Sequence, residues 1–414
     1  MTSAVFSPFT LPCGAQLPNR LAKAAMEENM SDEGQIPGPA ILRLYQRWAE
    51  GGSGLLITGN VMVDGRAMTG PGGIVLEKGS DIAPFTAWAE AAKKNNTQVW
   101  MQINHPGRQV YAAMGGDVLS PSNIPLDLGK HSHLFGKPKA MAHKDIDQLI
   151  QRFSDTAVKA EQAGFDGIQI HGAHGYLISQ FLSPLTNKRK DEFGGSIENR
   201  MRLLMLVIKA IRAQVSSTFA VAVKINSADF QRGGFDADDA KTVILAMNEL
   251  AVDLVELSGG SYESPAMQGT TADGRTLQRE AYFLDFAKEI ARVATMPVMT
   301  TGGVRRLAVA EDVLSHGIDV VGMGTALAMN PSLPNGWKAS TGSESDSLVV
   351  HNPIVRWKDK TLSSIATMAV IKRQLQRMGK GKEPKLNSSP IFSLIRDRMR
   401  LKKLTKRYQQ YLSK

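Results

Sequence analysis

Cysteine is almost missing from this chain: Cys13 is the only one in 414 residues. That excludes an internal disulfide framework and any four-cysteine zinc or iron–sulfur centre within one chain. No apolar run reaches the about 18 residues that a membrane span needs. The N-terminal stretch MTSAVFSPFTLPCG lacks a basic segment followed by an apolar one. No secretory signal peptide is expected, and cytoplasmic residence is. Acidic residues are in deficit, with a formal charge of +10, but the deficit is local. Residues 346–414 hold about 17 Lys/Arg against about 4 Asp/Glu, roughly +13, and the remainder is roughly −3. The basic character therefore belongs to the tail and says little about an active site.

Apolar residues make up 43% of the chain, enough for one large core. A (β/α)8 barrel takes about 250 residues and often more with insertions. Short apolar runs predict strands at Leu21–Met26, Gly54–Asn60, Gln98–Ile103, Gly167–His171, Phe219–Ile225, Leu254–Ser258, Pro297–Thr301 and Val320–Met323. Such runs suit parallel strands buried on both faces. Helical segments separate them, among them Ala83–Asn95, Lys144–Ala163, Ile197–Val215, Ala237–Leu250, Arg279–Val293 and Arg306–His316. Eight strands alternating with helices predict an α/β fold, a (β/α)8 TIM barrel over residues 1–340. Residues 104–143 are read as an insertion over the barrel mouth, folded as a small hairpin. Residues 341–414 are read as a linker (Gly342–Asp346) and a basic amphipathic helical extension. Leu362, Ile365, Met368, Ile371, Leu375 and Met378 follow at helical spacing. Ser389-Pro390 reads as an N-cap with Pro at N1, and Phe392, Ile395 and Met399 line one side of the next helix.

The active site of such a barrel lies at the C-terminal ends of its strands. The third strand ends in Gln102-Ile-Asn104-His105-Pro-Gly107-Arg108. The fourth ends in His171-Gly-Ala-His174-Gly-Tyr176, and the fifth carries Lys224. The seventh ends in Thr300-Thr-Gly302-Gly303 and the eighth in Gly322-Met-Gly324-Thr325. A zinc reading of His171 and His174 needs a third ligand, which no H-E-x-x-H motif or cysteine cluster supplies, so no metal is expected.

The stretch HGAHGYLISQFLSPLTNKRKDEFGGSIENR, His171 to Arg200, resembles the signature of the Old Yellow Enzyme (NADH:flavin oxidoreductase) family. LPNRLAKAAM, QINHPGR and GIDVVGMGTALAMNP match the same family in the same order, so the resemblance covers roughly residues 5–335. It implies FMN as cofactor, NADH or NADPH as hydride donor, and an enone-type small molecule as substrate. His171 and His174 would donate hydrogen bonds to the substrate oxygen, polarising the alkene. Tyr176 would supply the proton, its phenol staying protonated near pH 7. Gln102 would meet the flavin pyrimidine edge, and Lys224 would favour the reduced anionic flavin. Backbone of Ala25 and Met26, with Gly59, would flank the ring system. Gly302, Gly303 and Gly324 would admit the phosphate. Thr325 stands where many members have Arg, with Arg305 as a substitute. Glu27 falls where relatives place Thr or Cys. Each assignment has a plainer reading, in which the histidines and Tyr176 merely pack and the glycines merely cap turns.

The sequence leaves NADH against NADPH undecided, and likewise homo-oligomerisation. The tail could pack on the barrel or a sister subunit, dock on an anionic membrane surface, or bind an acidic ligand. A tRNA-dihydrouridine synthase also joins an FMN barrel to a basic tail, but uses a barrel cysteine as proton donor. Cys13 precedes the first strand, so nucleic acid is not the expected partner. The third reading is a flavin carrier without substrate chemistry, which His171, His174 and Tyr176 together oppose.

Overall fold

The computed structural model describes residues 3–266, 280–340, 348–350 and 353–414. Among these, eight parallel strands close a ring. They are β1 (Leu21–Lys23), β2 (Leu55–Ile57), β3 (Gln98–Asn104), β4 (Gly167–Gly172), β5 (Ala220–Asn226), β6 (Leu254–Ser258), β7 (Val298–Thr301) and β8 (Val320–Met323). Each pairs with the next, and β8 returns to β1 through Val321↔Leu21. The expected (β/α)8 TIM barrel is therefore the fold.

Helices α1 (Pro39–Glu50), α2 (Ala83–Ala92), α3 (His143–Gln162), α4 (Arg202–Arg212), α5 (Ala237–Met247), α6 (Leu284–Ala291) and α7 (Leu307–Ser315) surround the ring. In α1, Ile41, Leu44, Tyr45 and Trp48 recur on one face and are fully buried against the strands. Inside the ring, Ala22, Leu55, Trp100, Ala220, Leu254, Met299 and Val320 form an apolar floor. A hairpin of Phe9–Thr10 and Gln16–Leu17 closes that end with Leu11 and Leu17. Cys13 lies in this hairpin and packs on the floor, at the end opposite the strand C-termini. It cannot serve as a proton donor at the mouth.

Several expectations need adjusting. The first strand stops at Lys23 rather than Met26, and the second at Ile57 rather than Asn60. The Gly59 N–H turns to the Tyr45 hydroxyl at 2.9 Å and to Glu28 at 3.1 Å, not to a neighbouring strand. The helix expected over 197–215 is two pieces, Ile197–Arg200 and α4, meeting at Met201. Arg279, the expected start of α6, lies outside the described residues, as does the expected linker Gly342–Asp346. The 104–143 insertion is not a hairpin: Leu119–Ser120 and Lys139–Ala140 pair in parallel. Its loop is pinned by a Tyr111–Phe135 bridge with stacked rings 4.7 Å apart.

The tail forms two helices, α8 (Lys360–Met378) and α9 (Pro390–Leu412), packed on each other, with α8 also against α1. Ser389 caps α9 by accepting from the Phe392 N–H at 3.3 Å, and Pro390 stands in its first turn, as expected. Ile371, Leu375 and Met378 are buried, whereas Leu362 and Ile365 are exposed. Phe392, Ile395 and Met399 do share a side of α9, but it faces outward. The inner face instead carries Leu404, Tyr408 and two arginines. Arg400 donates to the Asn29 carbonyl, and Arg407 donates to the Ser31 carbonyl at 2.6 Å. No helix is long and apolar enough to cross a membrane, among the described residues.

Candidate active site

Strand register alone assembles the interior of the mouth. Gln169 lies beside Gln102, and Lys224 beside both His171 and Glu256. Side chains then link across the ring. The Gln102 Nε2 donates to Gln169 Oε1 at 2.7 Å, and the Gln169 Nε2 donates to Glu256 Oε2 at 2.7 Å. The Thr301 hydroxyl donates to Glu256 Oε1 at 2.6 Å. Lys224 Nζ lies 2.8 Å from the same oxygen. Every member is held in one orientation, since an unpaired polar group here would be costly. Lys224 is thus paired with the wholly buried Glu256. Sequence reasoning missed Gln169 and Glu256. The signal was there: Gln169 and Glu256 interrupt apolar strands three and two residues before their ends.

Above this layer sit His171 and His174, with ring centroids 5.0 Å apart, and Tyr176, 4.8 Å from His171. His174 has φ +61°, a left-handed turn that swings its ring back over the strand end. Its backbone N–H donates to Asn226 Oδ1 at 3.1 Å, and its Nε2 lies 2.8 Å from the Ser258 hydroxyl. His171 Nδ1 accepts from the Ala173 N–H at 3.3 Å. The proton of a neutral His171 therefore sits on Nε2, facing the mouth. Burial, reinforced by the Lys224 charge, drives both imidazoles well below their ordinary pKa. They are neutral donors near pH 7. Burial, then the charge of Glu27, raises the Tyr176 phenol. Its hydroxyl is 3.1 Å from that of Tyr262, on the loop after β6.

His105 at the end of β3 is likewise buried, and burial pushes its pKa down to about 4. Its Nδ1 accepts from the Gly107 N–H at 3.1 Å. The unfolded chain takes up a proton near pH 6.5 that the folded chain refuses until about pH 4. Stability is therefore unaffected above about pH 6.5 and falls as pH drops below it. From pH 6.5 to 5 this one group costs about 2 kcal/mol. Urea unfolding at both pH values, with His105→Gln alongside, measures it; a variant retaining the full acid sensitivity would assign the loss elsewhere.

The donor set fits FMN at several points. Gln102 keeps its Oε1 and a second amide hydrogen beyond its bond to Gln169. Asn104 is fully buried with Oδ1 and Nδ2 both lacking partners among the described residues. Such an amide at a strand end points to a polar ligand. A side chain built on Gly324 would meet only Met26, at 3.7 Å, so its backbone is approachable. Ala25 and Met26 are half-buried beside it. Thr325 opens the short helix Thr325–Met329.

The other positions carry more specific readings. Gly59 lacks a side chain because the Met26 carbonyl and Glu28 crowd it, within 2.4 Å of where a Cβ would stand. Gly302 and Gly303 face the Tyr282 ring, which crowds any Cβ on Gly303 at 2.6 Å. Nearby, the Glu280 carboxylate accepts from the Arg305 backbone N–H at 3.1 Å and from its guanidinium at 3.0 Å. Arg306 adds a third bond at 2.8 Å. A carboxylate here does what a phosphate oxygen would do. If it competes with the cofactor phosphate, Glu280→Gln tightens FMN binding severalfold in a flavin-fluorescence titration. Weaker binding would make Glu280 a support for Arg305 instead.

Glu27 and Glu28 separate cleanly. Glu28 turns under β2 to Tyr45, Gly59 and Lys23. Glu27 turns to the mouth, accepting from the Thr69 hydroxyl at 2.8 Å. The tail reaches it there: Lys372 of α8 lies 3.5 Å from Glu27 and donates to Asn29 Oδ1 at 2.6 Å. Burial, then Glu27 and Asp397 of α9, push the Tyr111 phenol up to about 12. Among the described residues, no acidic, cysteine or further histidine side chain joins His171 and His174 at metal-binding distance. The trio with such spacing is His143, Asp191 and Glu192 at the surface.

The model of the NADH:flavin oxidoreductase / NADH oxidase family matches residues 4–344. The chain is 38% identical over 349 residues to the NADH-dependent flavin oxidoreductase iliE of Hypocrea jecorina, covering 79% of this chain and 87% of that one. It is 31% identical over 342 residues to the NADPH dehydrogenase of Bacillus pumilus, covering 81% and 94%. The old yellow enzyme homologue from Zymomonas mobilis matches with a TM-score of 0.70 at 22% identity, covering 84% of this chain and 100% of that one. That last likeness concerns the fold alone.

Proposed function

The chain belongs to the NADH:flavin oxidoreductase / NADH oxidase family, and from that premise we propose that it reduces the C=C bond of α,β-unsaturated carbonyl compounds. Family membership brings FMN as cofactor and a reduced nicotinamide as hydride donor. FMN, when bound, supplies the two-electron relay between donor and acceptor.

The observation that carries the reading is the pair of neutral buried imidazoles beside a protonated phenol. With Nδ1 engaged, His171 donates from Nε2 to the carbonyl oxygen of an enone. When the Ser258 hydroxyl turns to donate to His174 Nε2, Nδ1–H is the second donor. Two donors aimed at one oxygen stabilise the enolate charge that grows as hydride reaches the β carbon. Their neutrality matters: donation requires no proton transfer from the imidazoles. Tyr176 places a proton on the α carbon, and Tyr262, hydrogen-bonded to it, passes a replacement inward from the mouth. Gln102, Lys224 and Asn104 would hold the flavin ring. Backbone at Gly303 and Gly324, with Arg305, would hold its phosphate. Ala25, Met26 and Thr325 would line its edge. Gly59 would act indirectly, by letting the Met26 carbonyl approach.

The test is an anaerobic visible spectrum of the FMN-loaded protein. NADH or NADPH should bleach the flavin, and 2-cyclohexenone should restore it with one saturated ketone formed per flavin. A bleached flavin that oxygen reoxidises but the enone does not would leave the flavin oxidoreductase standing and sink the alkene reading.

A further inference from the structure

Helix α9 is amphipathic in an unusual sense. Its contacts with the barrel combine hydrogen bonds with an apolar cluster in which Tyr408, Tyr411 and Leu412 pack on Met62, Met68, Val75 and Met114. Arg400, Arg407 and Tyr408 donate to the backbone carbonyls of Asn29, Ser31 and Gly65, and Leu404 and Tyr408 are buried. Its outer face, which docking does not use, also carries aliphatic side chains. Ile391 is 62% exposed, Ile395 55% and Met399 71%, following one another at four-residue spacing. Phe392 is exposed beside them, with the Arg373 guanidinium 4.8 Å above its ring. The same outer face continues into Lys402 and Lys406, flanked by exposed Arg396, Arg398 and Lys403. Asp397 is the only acid among Pro390–Leu412, and it lies half-buried toward Lys372 and Arg400. The outer face thus has apolar turns, basic turns and no acid.

We propose that this face docks the protein on an anionic lipid surface, with Ile391, Phe392, Ile395 and Met399 entering the headgroup boundary and Lys402, Lys403 and Lys406 meeting lipid phosphates. Charge complementarity decides the occupant. A helix lying in the interface needs apolar side chains on one side and lysine or arginine around them. A second copy of the chain could cover the apolar turns but would bring no acid from this face to Lys402, Lys403 and Lys406. Nucleic acid would satisfy the lysines but would leave Ile391, Ile395 and Met399 against phosphate and water.

The test uses full-length protein loaded with FMN. Sedimentation with vesicles of phosphatidylcholine plus phosphatidylglycerol is compared with phosphatidylcholine alone. Binding is expected to the anionic vesicles and to weaken with salt. Ile395→Asp with Met399→Asp should lower partitioning roughly tenfold or more, by removing the inserted side chains. Lys402→Glu with Lys406→Glu should lower it about thirtyfold or more. All four positions are exposed, and an unchanged flavin spectrum and melting temperature confirm folding in each variant. Equal binding to both vesicles, no binding, or indifference to both double variants would overturn the proposal. So would light scattering that shows a dimer abolished by Ile395→Asp with Met399→Asp, or a gel shift showing that the face holds RNA instead.

Discussion

Replacing His171 and His174 together by alanine should lower enone reduction about a thousandfold or more while leaving the FMN content unchanged. Each imidazole is one of two donors aimed at the same developing charge, and removing one such donor typically costs about 10²–10³ in turnover. The two are not independent: their rings are 5.0 Å apart, and both sit next to Lys224. The double loss should therefore be smaller than the product of the single losses. His171→Ala should cost more than His174→Ala. The His171 proton is fixed on Nε2 by the Ala173 N–H, whereas the donor nitrogen of His174 depends on which way the Ser258 hydroxyl turns. The measurements are single-turnover reoxidation of reduced flavin by 2-cyclohexenone and the dissociation constant of a phenol. A variant that binds phenol normally would remove both residues from the oxygen site. A variant that loses FMN would make them structural.

Much of this was legible in the sequence because the barrel repeats one simple signal. A short apolar run between helical stretches marks a strand, and all eight such runs correspond to strands of the ring. His171, His174, Tyr176 and Gln102 were singled out because they stand at or near strand ends. What stayed hidden depends on contacts between distant segments. Gln169 and Glu256 look like isolated polar residues in apolar strands until register sets Glu256 beside Lys224. Gly59 looks like a loop glycine until Glu28 and the Met26 carbonyl are seen to crowd it.

The tail shows a different limit. Hydrophobic spacing correctly gave two helices, and Ile371, Leu375 and Met378 of α8 are buried, but the apolar side of α9 faces outward. Spacing says which residues share a side, not which side meets the barrel. Here the barrel offers carbonyls of Asn29, Ser31 and Gly65 and the carboxylate of Glu27, so arginine, lysine and tyrosine turn inward. Lys372 thereby brings a residue from beyond the family's own span, which ends at residue 344, to the mouth.

The Lys224–Glu256 pair carries the second large expectation. Glu256 is wholly buried, and Lys224 is 4% exposed. Glu256→Ala leaves a buried ammonium without its counter-ion and removes the acceptor of both Gln169 and Thr301. The expected loss is about 3–5 kcal/mol of folding stability, read from urea midpoints. Replacing both partners with methionine should recover most of that, because two charges no longer need to be kept out of water. The pair also bears on redox chemistry, and this separates it from a purely structural bridge. Glu256→Gln keeps the shape and one acceptor oxygen but withdraws the negative charge, leaving Lys224 the dominant charge at the end of β5. A cation there favours an anionic reduced flavin, so the midpoint potential of bound FMN should rise in Glu256→Gln and fall in Lys224→Met. Opposite shifts of the two single variants would place the ion pair against the flavin ring. Unchanged potentials alongside the loss of stability would confine it to holding the strands together, and Lys224 would then leave the set of cofactor contacts.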